Sequence, residues 1–336
     1  MPELSLPLVL AGAILVSLNA YALLGGADFG GGVWDLLASG PRRERQRALV
    51  AEAIGPIWEA NHVWLILAVV LLFTCFPAAF ARLSVALHIP LTLGLIGIVL
   101  RGSAFVFRAY DVQRDDVQRR WGRIFASASL VTPILLGVSV GAVATGRVPR
   151  APEGDFVDAF VRPWLQPFPI AVGLLALALF AFLAAVYLTV EADEPALRED
   201  FRARALGAGL AAFAAAALAL LLAYEGAPLV WGKLIASPWA LRFHLATAAA
   251  AVAALGALWR RRWRVARVAA AVQVSLVLWG WGLAQYPYLV PPHLTLHEAA
   301  APAATLRLVV LALAAGAVVL FPSLYYLFHV FKGRPV

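Results

Sequence analysis

The segment Pro56–Ile66, PIWEANHVWLI, gathers Trp58, Glu59, Asn61, His62 and Trp64 at the head of a long apolar run. A carboxylate and an imidazole three residues apart share one face of a helix, and Trp58, Asn61 and Leu65 share another. A Glu–His pair of this spacing offers the alternating donors and acceptors that a proton path through a bundle interior needs. Imidazole titrates near neutrality, so its charge can change during turnover. Two further ionisable groups lie in apolar surroundings: Asp28 within GGADFGGG, and Arg101 in LRGSAFVFRAYD. An ionisable side chain at mid-membrane costs roughly 2.5–3.5 kcal/mol on insertion scales, so each such residue calls for a reason.

Plainer readings stand beside these. Glu59 can be an interfacial acid stabilised by a helix N-terminus, with Trp58 and Trp64 as aromatic-belt anchors. That account leaves Asn61 and His62 unexplained. Arg101 can be a snorkelling interfacial arginine or a counter-charge to Asp28 or Glu59. The glycine run lacks a preceding strand, G-x-G-x-x-G spacing and a Walker Lys-Ser/Thr, so it does not make a nucleotide site. It reads as a membrane-helix end unwound by glycine, or as a place where helices approach closely through small residues. His88 and His244 make a bis-His haem conceivable, but packed, hydrogen-bonded histidines are the simpler reading. Met1 is the only methionine, which removes a His/Met axial pair. His293 and His297, four apart, would need Glu298 or a distant third ligand to hold a metal.

The elements that position these residues follow from composition. Of 336 residues, 62% are hydrophobic and 14% charged, against about 25% charged in a soluble domain. Lipid is the solvent of such a chain. Runs long enough to cross it lie near 5–24, 57–79, 83–100, 122–144, 168–190, 203–223, 240–258, 265–285 and 304–331. The fold class is therefore an all-α integral membrane protein of about nine transmembrane helices, read as a single polytopic domain over residues 1–336. No alternating barrel pattern, internal repeat or separate soluble domain emerges. The N-terminal stretch lacks a basic n-region and is expected to be a retained first span.

The net charge of +8 does not point to nucleic acid, because the cations cluster between apolar runs. Arg42, Arg43, Arg45 and Arg47 follow the first span; Arg108, Arg114, Arg119 and Arg120 the third; Arg198, Arg202 and Arg204 the fifth; Arg260, Arg261, Arg262 and Arg264 the seventh. Lys332 and Arg334 close the chain. The positive-inside rule then puts the N-terminus outside and the C-terminus in the cytoplasm. On this topology Asp28 is expected at the cytoplasmic end of the first span. Pro56 suits a first helical turn, and Glu59 lies only about 4.5 Å deeper, in the same leaflet. The outer loop near 145–167 carries Glu153, Asp155 and Asp158 against its arginines and reads as solvated. Cys75, the one cysteine, allows no intrachain disulfide.

GADFGGGVWDLL, a basic stretch, AIGPIWEANHVWLI and LRGSAFVFRAYD together resemble the N-terminal third of subunit II of cytochrome bd-type quinol oxidases. QYPYLVPPHLT and the terminal YYLFHVFKGR resemble its C-terminal end. EANH is similar to the cyanide-insensitive branch, where other relatives carry Asp-Gly-Asn-Gln. The resemblance implies two four-helix bundles plus one extra helix, paired pseudo-symmetrically with a haem-bearing subunit I. That partner would hold haem b and haem d, or haem b alone, and oxidise quinol while dioxygen is reduced to water. Subunit II would ligate no haem or metal and has no direct catalytic residue. The resemblance also allows it a structural quinone and small accessory subunits. Glu59 matches an acid of the cytoplasmic proton route, with Asp28, His62 and Arg101 as companions. Trp64 matches a tryptophan near a proposed oxygen-access route, with Trp58 and Asn61 in helix packing beside it. The competing function is a secondary transporter with a broken-helix site at the glycine run; a third is a structural scaffold.

Overall fold

The computed structural model describes residues 5–55, 58–110, 115–151 and 154–332. Pro56, Arg114, Glu153 and Arg334, invoked above, lie outside them. The chain runs through α1 (Leu6–Leu36), α2 (Arg43–Ile54), α3 (Trp58–Cys75), α4 (Pro77–Ala86), α5 (His88–Tyr110), α6 (Asp115–Ala144) and the short α7 (Phe156–Phe160). It continues with α8 (Pro167–Glu191), α9 (Pro195–Gly226), α10 (Pro228–Ala236), α11 (Ala240–Trp259) and α12 (Trp263–Gln285). A small hairpin of β1 (Tyr288–Val290) and β2 (Leu294–Thr295), one turn of α13 (Leu296–Ala299) and the long α14 (Ala303–Lys332) complete it. Among the described residues nine helices are long and apolar enough to cross a membrane: α1, α3, α5, α6, α8, α9, α11, α12 and α14. Several helices, α1, α8 and α9 among them, begin with proline in the first two positions, where its missing N–H costs nothing.

Helices α1, α3, α5 and α6 form one four-helix group, and α8, α9, α11 and α12 the other. The groups join where α1 and α6 both pack along α8. Helix α14 stands to one side against α1 and α3, with nearly all of its apolar surface outside the chain's own core. The seam on α8 is made by glycine. A Cβ on Gly30 would sit 2.0 Å from the Phe180 carbonyl oxygen, and one on Gly137 would sit 2.7 Å from the Gly173 Cα. Backbones that approach this closely gain van der Waals contact that lipid chains cannot replace.

The glycine run corrects the first expected boundary. Helix α1 does not end near residue 24 but continues unbroken through Gly25–Gly32 to Leu36. Asp28 is consequently not at the helix end: eight residues, about 12 Å, follow it. The glycines serve close approach rather than unwinding. Helix α2 was not anticipated in the basic loop. Its Gln46, Val50 and Ile54 face inward at four-residue steps, and Ile54 packs where Gly31 has no side chain.

Across the arginine-rich side, Arg42 makes a two-pronged pair with Asp200, through Nε at 2.8 Å and Nη2 at 2.5 Å. Gln46 also donates to Asp200 and accepts from Arg204. Side chains on α9 thus fasten the α1–α2 connection.

On the opposite side, Thr295 caps α13 and Glu298 reaches back to the Thr295 amide at 2.8 Å, a reciprocal capping box. The Ala301 amide ties this turn to the Cys75 carbonyl at the end of α3. Hydrogen bonds from the Thr295 amide, then its hydroxyl, hold the exposed Glu298 carboxyl below its ordinary range. A lowered folded value stabilises above the unfolded one, about 4.3, and that contribution is lost as pH falls through the folded value. Hydrogen exchange at residues 295–298, referenced to intrinsic rates, should therefore rise as pH drops below about 4. The Glu298→Gln variant should lack this acid step.

Candidate functional site

Asp28, Asn61 and Arg101 come from three different helices, and each is at most 4% exposed. The Asn61 amide nitrogen donates to Asp28 Oδ2 at 2.7 Å. Arg101 Nη2 donates to the Asp28 carbonyl oxygen at 3.0 Å. The Arg101 guanidinium carbon lies 4.9 Å from the ring centre of Phe29 and 5.2 Å from that of Phe125. A planar, weakly hydrated cation tolerates burial between ring faces better than an ammonium does. Arg101 does not snorkel; α5 continues nine residues past it to Tyr110.

One residue of this site escaped the sequence reading. Tyr21 precedes Asp28 by seven residues, two turns on the same stripe of α1, and is 4% exposed. Its ring lies over Gly25, where a Cβ would come within 2.6 Å, and its hydroxyl reaches His62 Nδ1 at 3.4 Å. His62 packs edge-on against Phe29 and Trp58. Its Nε2 is buried and has no hydrogen-bond partner among the described residues. A tyrosine one heptad before a buried acid was the available signal.

Glu59 departs from the face-sharing expected of it. It is exposed, while His62 turns inward. Glu59 heads an outward stripe continued by Val63, Ile66, Val70 and Phe73, which are 44–59% exposed. Helix α3 thus presents its polar groups in two directions: Asn61 and His62 toward α1, Glu59 away from it. Trp58 is half-buried, 6.1 Å centre to centre from Phe105 and close over Gly102. Trp64 is half-buried against the same core.

The other histidines do not converge. His88 and His244 lie in different four-helix groups, and each Nδ1 contacts a carbonyl of its own helical turn or the preceding one, Val85 and Ala240. His293 Nδ1 lies 3.2 Å from Arg150 Nη2, and Glu298 is engaged in its capping box. No group of three His, Cys, Asp or Glu suited to a metal ion occurs among the described residues.

A family model described as cytochrome bd terminal oxidase subunit II matches residues 6–331. The chain belongs to this family. As a subunit II, it is a multi-pass protein of the bacterial cytoplasmic membrane and a component of a terminal oxidase. It is 31% identical over 125 residues to the cytochrome bd ubiquinol oxidase subunit 2 of Bacillus subtilis, covering 37% of this chain and 36% of that one. It is 22% identical over 322 residues to a putative cytochrome bd menaquinol oxidase subunit II of the same organism, covering 93% and 91%. With the cytochrome bd-I ubiquinol oxidase subunit 2 of Escherichia coli it shares 26% over 188 residues, 54% of this chain and 46% of that one. The aligned parts thus span less than half the length of the first and third of these relatives. A solved bd oxidase from Geobacillus thermodenitrificans has the same fold, with a TM-score of 0.79 at 23% identity over 98% of this chain and 99% of that one.

Proposed function

We propose that this subunit II works in a quinol:oxygen oxidoreductase as a haem-free partner of a haem-bearing subunit I, and that it carries protons from the cytoplasmic side toward that partner. The observation that carries the reading is the buried Asp28–Asn61–Arg101 cluster beside an exposed Glu59 on the same stretch of α3. Intramembrane ionisable groups are expensive and mark ion or proton routes by default.

The residues divide the work. Glu59, on an apolar stripe suited to a partner helix, offers the carboxylate that hands a proton across the contact. Asp28 is fixed by Asn61, and Arg101 supplies its counter-charge. His62, with one ring nitrogen on Tyr21 and the other unengaged, links the two directions of α3. Reduction of dioxygen to water consumes protons, and taking them from one side of the membrane moves charge across it. Haem b with haem d, or haem b alone, supplies the electron chemistry within subunit I. The names of two relatives, a ubiquinol and a menaquinol oxidase subunit, support a quinol as the reductant, which in this reading is oxidised at subunit I. A structural quinone, small accessory subunits and an oxygen route near Trp64 fit this assembly. The transporter reading loses its premise because α1 is continuous through the glycine run.

In the purified complex, Glu59→Gln should slow oxygen consumption by about 10²-fold, as loss of a proton-transfer group does, with the visible haem spectrum unchanged. Unaltered turnover would remove Glu59 from the route and leave the scaffold reading.

A further inference from the structure

Away from the polar cluster, α12 forms with α1 and α8 a cavity of about 500 Å³ open to the surface of the chain. Its α12 wall is one helical face, with Val272, Leu276 and Trp279 at steps of four and three. Leu23 of α1 and Tyr187 of α8 line the other side. Arg267 closes one end, twelve residues before Trp279, so the groove runs about 18 Å along α12. One leaflet of the hydrocarbon core is about 15 Å thick. The groove therefore reaches from the membrane surface to mid-membrane and accompanies one leaflet.

The chemistry changes along that length. Beyond Arg267 the walls are apolar except for Ser275 midway along α12. At the surface end the Arg267 guanidinium lies over the Tyr187 ring, 5.2 Å from its centre, and remains exposed. Glu191 stands 3.8 Å from it. Arg264, one turn earlier on the same face, and Arg260 and Arg262 in the preceding turn are also exposed. Glu191 offsets Arg267 in part, Glu199 pairs with the neighbouring Arg261, and Arg264 brings a second exposed cation to the same end of the groove. A cationic end joined to an apolar channel one leaflet long matches an amphiphile with an anionic head and one tail in the groove. Basic pockets between transmembrane helices on the arginine-rich side favour anionic lipid headgroups.

The geometry points to a site for one anionic phospholipid, its phosphodiester on Arg267 and Arg264 and one acyl chain laid along α12 to Trp279. The guanidinium meets the phosphate oxygens through paired N–H donors. Tyr187 holds Arg267 by its ring face, and Glu191 faces Nη1 only at 3.8 Å, so the remaining guanidinium donors are directed to the lipid. This site does not depend on the proton route proposed above.

The test compares the complex purified in mild detergent as wild type, Arg267→Gln and Val272→Trp, the last filling the groove while keeping the charge. Native mass spectrometry and lipid extraction read what stays bound after washing. Wild type should retain an anionic phospholipid at least tenfold over zwitterionic lipid, and both variants should lose it at least tenfold while eluting as intact complex. Vesicles of phosphatidylglycerol, but not phosphatidylcholine, should raise the unfolding temperature of wild type more than that of either variant. Equal retention in all three proteins, equal retention of zwitterionic lipid, a quinone in place of the phospholipid, or a protein chain covering the groove would each overturn the assignment.

Discussion

Substituting Arg101 by Gln is expected to destabilise the subunit more than any other single change to the polar cluster. The side chain is 1% exposed, and its charge sits between two rings and against the Asp28 backbone. Removing one member of a buried charged pair costs about 3–5 kcal/mol, because the other is left in a medium that solvates it poorly. The Asp28 side chain would keep Asn61 but lose the nearby cation. The expected result is a low yield of assembled complex and a lower unfolding temperature. Adding Asp28→Asn to the same chain should recover part of the loss, since the uncompensated acid is then gone. Thermal unfolding of the two single variants and the double variant forms a cycle that isolates their coupling. Additive losses would mean that Arg101 acts through its aromatic contacts alone.

The second large effect is expected at Gly30. A methyl there would meet the Phe180 carbonyl oxygen at 2.0 Å, its carbon at 2.5 Å and the Ala184 Cβ at 2.7 Å. Two of these are backbone atoms, so no rotamer change relieves the clash and α1 must move away from α8. That displacement would also strain the Trp34 indole hydrogen bond to the Ala181 carbonyl, now 2.8 Å. Overpacking costs about 1–3 kcal/mol where side chains can adjust; with backbone in the way the upper end applies. Gly12→Ala is the matched control. Nothing lies within 4 Å of a Cβ at Gly12, and alanine favours the helix by up to about 1 kcal/mol. Unfolding temperatures should fall for Gly30→Ala and hold or rise for Gly12→Ala.

Apolar length made the membrane helices legible, since hydropathy and span size are properties of a segment by itself. The end of α1 was not, because glycine has two opposite uses in a membrane helix and its neighbours decide between them. Here Phe180 and Ala184, some 150 residues downstream, make Gly30 a packing residue. Helix α2 was hidden for a related reason: its apolar positions are few, and arginines dominate the segment. In the site, the residue types of Asp28, Asn61 and Arg101 were visible because lipid makes such groups conspicuous. Spacing put Glu59 and His62 on one face, but periodicity alone does not say how a helix is turned or where that face divides between core and exterior. The packing of α3 on α1 turns His62 in and Glu59 out. Tyr21 went unnoticed because an aromatic in an apolar run carries no local mark; only its place two turns before Asp28 distinguishes it.

The cluster also has a history within each molecule as it is made. Asp28 is synthesised 33 residues before Asn61 and 73 before Arg101. At about 5–20 residues per second, the arginine emerges roughly 4–15 s after the acid. Helix α8, which receives the glycine face of α1, follows later still. The acid of the first helix is therefore made before either of the groups that hold it. The cluster closes only once α3 and α5 have joined α1 in the bundle, since Asn61 and Arg101 lie on them.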